Sequence, residues 1–287
     1  MEQWILENEP VIRLSFFFGV LLLIALWEIA APRRALSMSK PVRWASNLGI
    51  VALNTVVLRL LFPLAAVAFA AVAAENGWGL LNLIEIHPLL ALVIAIVVLD
   101  FFIWLQHVMV HAIPVLWRLH RMHHADLDYD LTTGARFHPL EIVLSMGIKF
   151  AAILLLGPPV LAVLLFEIIL NAMAMFNHGN IRLPLGLDRL LRLLVVTPDM
   201  HRVHHSVQDD EANSNFGFNL SIWDRLFGTY KAQPDLGHEG MQIGLDRFRE
   251  QRDNTLPQML VQPFIGDAGD YAINRRSWKK PTREEPS

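Results

Sequence analysis

Long apolar runs separated by short polar segments set the character of this chain. The first, Val11 to Ala31, has about the 20 residues that a helix needs to cross the hydrocarbon core of a bilayer. Acidic residues precede it where a cleaved leader would carry positive charge, so it is expected to be a retained membrane helix that ends at Pro32-Arg33-Arg34. The second run, Leu48 to Ala74, includes Asn54 and Arg59, and an arginine there is expected to face protein or to snorkel. A third, starting at Pro88, passes Gln106 and leads without a break into a pair of histidines. Leu140 to Ala174 is largely apolar but interrupted by Gly157-Pro158-Pro159, which ends one helix and starts another and so predicts a tight membrane hairpin. Its first arm, Leu140 to Leu156, is barely long enough to cross and also fits a re-entrant helix. After His178 polar and apolar positions mix, and Leu187 to Val196, with Arg189 and Arg192, suits a helix lying along the membrane surface. From about Pro263 the chain is rich in charge, Gly and Pro and reads as a loosely ordered tail.

These runs predict an all-α, polytopic helical membrane protein with a cytoplasmic, histidine-rich helical cap. Three parts are expected: N-terminal membrane helices over 1–90, a central part over 91–232 that carries the histidine clusters and the hairpin, and a polar C-terminal tail over 233–287. Lys and Arg alternate between loops, with none before Val11, four in 32–47, none in 75–87 and three in 112–139. Basic loops face the cytoplasm. The N-terminus is therefore expected outside, and every histidine cluster and the C-terminus on the cytoplasmic side.

Composition agrees: 54% hydrophobic and 18% charged residues over 287 positions are too apolar for an ordinary soluble enzyme. The formal charge of -3 and the lack of a basic block give no reason to expect nucleic acid as a partner. Cysteine is absent, which excludes disulfides, Fe–S clusters, haem-thiolate and cysteine-ligated zinc, and leaves imidazole and carboxylate as metal ligands.

Ten of the 12 histidines lie between His107 and His205, and eight of those form three clusters: His107-x3-His111, His120-x2-His123-His124 and His201-x2-His204-His205. Residues four apart share a helix face, so His107 and His111 can aim both rings at one ion. The i, i+3, i+4 spacing of the other two clusters gathers three rings in the same way. Eight imidazoles exceed the four ligands of tetrahedral zinc and the six of an octahedral ion, which favours two metal ions. His138, where the chain enters the hairpin, and His178, where it leaves, are further candidate ligands. His87 and His238 are isolated and read as non-catalytic.

Asp100 returns to within roughly 20° of the His107 and His111 face and is expected to hold the N–H of a metal-bound imidazole. Asp126, Asp128, Glu141 and Asp199 could orient imidazoles similarly, although Asp128 and Asp199 fit helix capping or the surface equally well. Thr197-Pro198-Asp199 resembles a helix start. Asn215, Phe216, Gly217, Trp223, Asp224, Phe227 and Gly228 are expected to fold back over the third cluster, with ordinary packing the better account of the aromatics.

The three clusters, together with Arg136-Phe137-His138-Pro139-Leu140-Glu141, Asn213-Ser214-Asn215-Phe216-Gly217 and Trp223-Asp224-Arg225-Leu226-Phe227-Gly228-Thr229-Tyr230, resemble the sterol desaturase/fatty acid hydroxylase superfamily from about Leu99 to Tyr230. The resemblance implies an integral membrane oxidoreductase with a histidine-bound di-iron centre that uses O2 and electrons to hydroxylate, desaturate or oxidise a lipid taken from the bilayer. It carries ligand roles to His107, His111, His120, His123, His124, His201, His204 and His205. The eight residues between His111 and His120 are similar to the gap in alkylglycerol monooxygenases, a pterin-dependent branch. No fused cytochrome b5 domain is evident, so a separate electron-transfer protein or small reductant is expected. Two other readings are a zinc-dependent lipid hydrolase, which no His-Glu-x-x-His motif supports, and a metal transporter or sensor, whose ligands should lie on both sides of the membrane.

Overall fold

The computed structural model describes residues 2–268 and Ile273. Among these the chain is helical, and its β-type contacts are three isolated bridges. Helix α1 (Glu2–Ala30) begins before the apolar run, because its polar first turns support themselves through i, i+4 bonds such as Gln3 to Glu7 (3.0 Å) and Arg13 to Glu9 (2.7 Å). The second apolar run divides into α2 (Lys40–Leu61) and α3 (Ala66–Glu75). Pro63 lacks the N–H to continue a helix and forces Phe62 into extended backbone (φ -121°, ψ 101°). Arg59 is exposed in the last turn of α2.

Helix α4 (Pro88–Ala112) starts on Pro88, with His87 as its N-cap accepting from the Leu89 N–H, and carries His107 and His111 at its far end. After a break at Ile113, α5 (Pro114–His124) carries the second cluster. The hairpin forms as expected from α6 (Pro139–Leu156) and α7 (Val160–Asn177). It turns at Gly157, whose φ of 64° is left-handed and whose missing Cβ leaves room for the Trp78 carbonyl. Helix α8 (Leu185–Leu191) presents Leu185, Leu187 and Leu190 outward, as an interfacial helix would, and α9 (Pro198–His204) carries the third cluster.

Among the described residues, five segments are long and apolar enough to cross a membrane: Gln3–Ala30, Lys40–Asn82, Pro88–Ala112, Pro139–Leu156 and Val160–Asn177. Ala70, Leu99, Ile153, Val163 and Phe166 form the main apolar core where α3, α4, α6 and α7 meet. Polar groups dock the cap on this bundle. Glu28, at the end of α1, accepts from the backbone N–H groups of Leu131 (2.7 Å) and Asn180 (2.8 Å). The buried Arg43 of α2 bridges Asp126 (2.9 Å) and Asp130 (2.8 Å) in the loop after α5.

The expectation of a loose tail from Pro263 onward fails for its first six residues, which pack on α5. Arg121 donates to the carbonyls of Gln262 (2.6 Å), Ile265 and Asp267, Arg118 to that of Pro263 (2.7 Å), and the Trp117 indole to that of Ala268 (3.0 Å). Polar composition hid this contact, because the tail contributes backbone carbonyls and the side chains that bind them belong to α5. The rest of the expected tail, apart from Ile273, lies outside the described residues.

Candidate metal centre

The ends of α4, α5, α7 and α9 converge, and nine buried histidines meet there in two groups. The first holds His107, His111, His120, His124 and His204; the second holds His123, His178, His201 and His205; within each, one nitrogen per ring lies within 4.8 Å of every other. The clusters of the sequence are not the groups of the structure. In α5 and at the end of α9, the i, i+4 pairs (His120 and His124, His201 and His205) stay together, while the remaining ring (His123, His204) turns to the other group. Each of these two segments therefore serves both groups.

Hydrogen bonding fixes which nitrogen of several rings can act as a ligand. A carbonyl or carboxylate oxygen only accepts from such a ring, so a ring nitrogen bonded to one carries the proton. His107 Nδ1 meets the Phe216 carbonyl (2.8 Å), His120 Nδ1 meets Glu141 Oε1 (2.7 Å), His178 Nδ1 meets the Ala174 carbonyl (2.8 Å) and His204 Nδ1 meets the Ser214 carbonyl (2.7 Å). In the neutral rings each Nε2 is then a lone pair. His107 Nε2 and His120 Nε2 nevertheless face each other at 3.2 Å, which is repulsive without a cation between them. The pairs His111–His124 and His123–His178 also approach through Nε2 at 3.2 Å. Nitrogens about 2.1 Å from a shared ion lie roughly 3.0 Å apart at right angles and roughly 3.4 Å apart in a tetrahedron, and 3.2 Å falls between. Both ring nitrogens of His201 and His205, and Nε2 of His204, are buried without a hydrogen-bond partner. Such groups are costly unless something else binds them, and the donor set fits metal ions.

Burial keeps the rings neutral. It pushes His123, His124, His201, His204 and His205 well below the ordinary histidine range, with neighbouring imidazoles adding to the effect, and it pushes His178 down to about 3.

His138 joins neither group: it caps α6, with Nδ1 accepting from the Leu140 N–H (3.2 Å) and Nε2 facing the Leu260 carbonyl (3.3 Å). A histidine before Pro is a ready N-cap, and the descending helix turns its ring away from the cluster. Glu141 does orient an imidazole, that of His120. Asp100 does not: Oδ2 accepts from the Trp223 indole (2.9 Å) and the Leu220 N–H (3.2 Å), because the 216–224 loop closes over that face of α4. Asp199 pairs with Arg33 (3.2 Å), Arg202 and His238 (3.6 Å). Asp126 binds Arg43, and although burial alone would raise its carboxyl, Arg43 and Arg136 hold it down to about 2. Asp128 accepts from the backbone of Ser37 (2.9 Å) and Met38 (2.8 Å). Cations and backbone donors thus outcompete neutral imidazole for these three carboxylates.

Sequence reasoning missed the carbonyls that fix ring tautomers and the residue that places one of them. Asp224 accepts from the backbone of Phe216 (2.9 Å) and Gly217 (2.7 Å), from Thr229 Oγ1 (2.7 Å) and from the Trp104 indole (3.1 Å). This aims the Phe216 carbonyl at His107, so the motif folds over the first cluster as well as the third. Another missed feature is Gly134, where a Cβ would come within 2.3 Å of the Ala174 carbonyl that binds His178. The signal available was the Asn-Phe-Gly motif beside Trp-Asp.

A cavity of about 300 Å³ opens on the centre, with His107, His120 and His123 in its wall beside Ile103, Ile142 and Met146. Phe137 lies flat on His123 at 4.6 Å between ring centres. The arrangement offers a metal centre shielded from bulk water on one side and reached from among the membrane helices on the other.

Residues 92–229 match the family model for fatty acid hydroxylases. The chain is 31% identical over 142 residues to an ornithine lipid hydroxylase of Rhizobium tropici, covering 50% of this chain and 42% of that one. It is 31% identical over 154 residues to the alkylglycerol monooxygenase of Homo sapiens, covering 52% and 32%, and 33% identical over 130 residues to that of Danio rerio, covering 45% and 28%. The match therefore spans under half the length of each of these relatives. No solved structure matches. Residues 92–229, which carry all nine histidines of the two groups, are thus similar to the fatty acid hydroxylase family.

Proposed function

We propose that this protein is a membrane-bound, O2-dependent oxidoreductase that hydroxylates or desaturates a lipid at a histidine-held di-iron centre. The carrying observation is the juxtaposition of two groups of buried imidazoles with a cavity that runs among apolar helices. Five imidazoles exceed the four ligands of structural zinc, which supports an ion of higher coordination, and the hydroxylase and monooxygenase relatives support iron. The substrate class is a fatty acyl, sterol or ether lipid; the named relatives act on an ornithine lipid and on alkylglycerol. Residues 91–232 form the catalytic part, preceded by membrane helices over 1–90 and followed by a tail over 233–287.

Bound iron would supply the oxidising power, drawn from O2 and external electrons, to take hydrogen from an unactivated C–H bond. The protein's own contribution is positional. His107, His111, His120, His124 and His204 would hold one ion, and His123, His178, His201 and His205 the other. Glu141 and the Phe216, Ala174 and Ser214 carbonyls hold the Nδ1 protons and so keep each Nε2 directed inward. Phe137 and the apolar wall exclude water and lay the lipid chain beside the rings. A separate protein or small reductant delivers electrons from the polar side.

Membranes expressing the protein under oxygen-18 gas are expected to yield a lipid carrying one labelled oxygen, or one lacking two hydrogens, and His204→Ala membranes are expected to yield neither. An unchanged lipid profile, or full activity in His204→Ala, would remove this reading. The basic loops support an N-terminus outside and histidines on the cytoplasmic side. Because the chain lacks cysteine, single-cysteine labelling tests this cleanly. Asn76→Cys should react with an impermeant reagent on intact cells and Asp235→Cys only after permeabilisation, and the reverse pattern would invert the orientation.

A further inference from the structure

The cavity beside the histidines also reaches three charged side chains that the metal centre does not use: Arg13 of α1, Lys149 of α6 and Glu167 of α7. All three lie in segments apolar enough to span a membrane. Glu167 is 3% exposed and sits between the two cations, with Oε1 at 2.5 Å from Lys149 Nζ and Oε2 at 2.9 Å from Arg13 Nη1. Arg13 is also paired with Glu9 at 2.7 Å.

Charges at such depth are expensive and are retained where they pair and serve a pathway or a ligand. Helix tethering alone is a weak reason for them here. The α6–α7 turn already joins two of the helices, and Ile153, Val163 and Phe166 supply the apolar core. The trio also lines a cavity. Lys149 spends one of its three N–H donors on Glu167, which leaves two for the cavity. With Glu9 included the cluster is charge-neutral, so the surplus on this wall is of hydrogen-bond donors, those of Lys149.

Position gives the trio a metric. Glu167 precedes His178 by 11 residues on α7 and Lys149 follows Glu141 by 8 on α6. At about 1.5 Å rise per residue the trio is roughly 12–16 Å along the helices from the histidine centre. Apolar side chains such as Phe17, Leu170 and Met175 line the cavity as well.

We infer that the Arg13–Glu167–Lys149 trio is a polar anchor for the substrate, binding a carboxylate or carbonyl oxygen so that a carbon well along the attached chain lies at the histidine centre. The inference rests on the proposed function, because that reading makes the cavity the substrate's. It makes the substrate an acyl lipid held by its oxygen end and oxidised at a distance from it. The trio positions and selects; it does not touch the reacting carbon.

The test is competition binding on the full chain in lipid nanodiscs, using an anthroyloxy-labelled stearate as the bound probe. Palmitate, hexadecylamine and hexadecane compare three head groups on one chain length. A charge-assisted hydrogen bond corresponds to about tenfold or more in affinity. Palmitate should therefore displace the probe at about tenfold lower concentration than hexadecylamine. Lys149→Met should erase that preference with hexadecane competition unchanged, and Lys149→Arg should keep it. Arg13→Gln/Lys149→Met/Glu167→Gln removes all three charges together and serves the same comparison if the single variant fails to insert. Equal competition by the three ligands, or a palmitate preference that survives loss of Lys149, would overturn the inference. Iron content of the same preparations separates the two readings: protein without iron that still prefers palmitate retains the anchor and loses the di-iron centre.

Discussion

Single imidazoles in this protein are defined less by their neighbours in sequence than by the oxygen that each Nδ1 meets. His120, His107, His178 and His204 all give that proton to an acceptor, and the lone pair that results is turned toward another ring. His178 shows how much one residue can carry. It follows α7 directly, and its ring lies 3.2 Å from His123 through Nε2 and 4.5 Å from His201 between ring centres. His138, with which it was paired as a candidate from sequence, is an N-cap. Substitution should separate them. His178→Ala is expected to lower the iron content of the protein by about half, because a four-ligand group loses a member, whereas His138→Ala should keep its iron and lose only about 1 kcal/mol of helix-cap stability. Equal iron loss in the two variants would contradict the grouping.

At the scale of elements, the loop over 213–230 supports the centre as firmly as the helices do. Asp224 is its organiser, and Asp224→Ala would leave the Phe216 and Gly217 amides without their acceptor and unfix the carbonyl that orients His107. A drop in melting temperature with a metal affinity weakened about 10- to 100-fold is expected, the size typical of groups that orient ligands. Calorimetry with metal titration measures both, and unaltered affinity would show that His107 needs no such support. Much of this level was legible in the chain. The apolar runs marked the spanning segments, Gly157-Pro158-Pro159 marked the hairpin, and the histidine spacing marked the helices that bear the rings. Three features were not legible, each for a physical reason. Pro63 breaks a run that looks continuous by hydropathy. The i, i+3, i+4 pattern says that three rings share a broad face but not that a facing helix splits them between two groups. Carboxylates that seemed free to orient imidazoles are taken by Arg43, Arg33 and backbone amides distant in sequence, which local patterns do not reveal.

The whole molecule joins two solvents. Its long apolar helices expose leucine and phenylalanine, while the cap buries arginine, aspartate and histidine in a network closed from below by Glu28 and from the side by residues 262–268. The histidine groups sit where these halves meet, and under the proposed function a substrate would arrive from the bilayer and electrons from the polar side. The proposed chemistry depends first on what those groups hold. Metal analysis of the full chain, purified in detergent and loaded anaerobically with Fe(II), tests this most directly. Two irons per chain is the expected result, and a reproducible single zinc with no iron retained would contradict it.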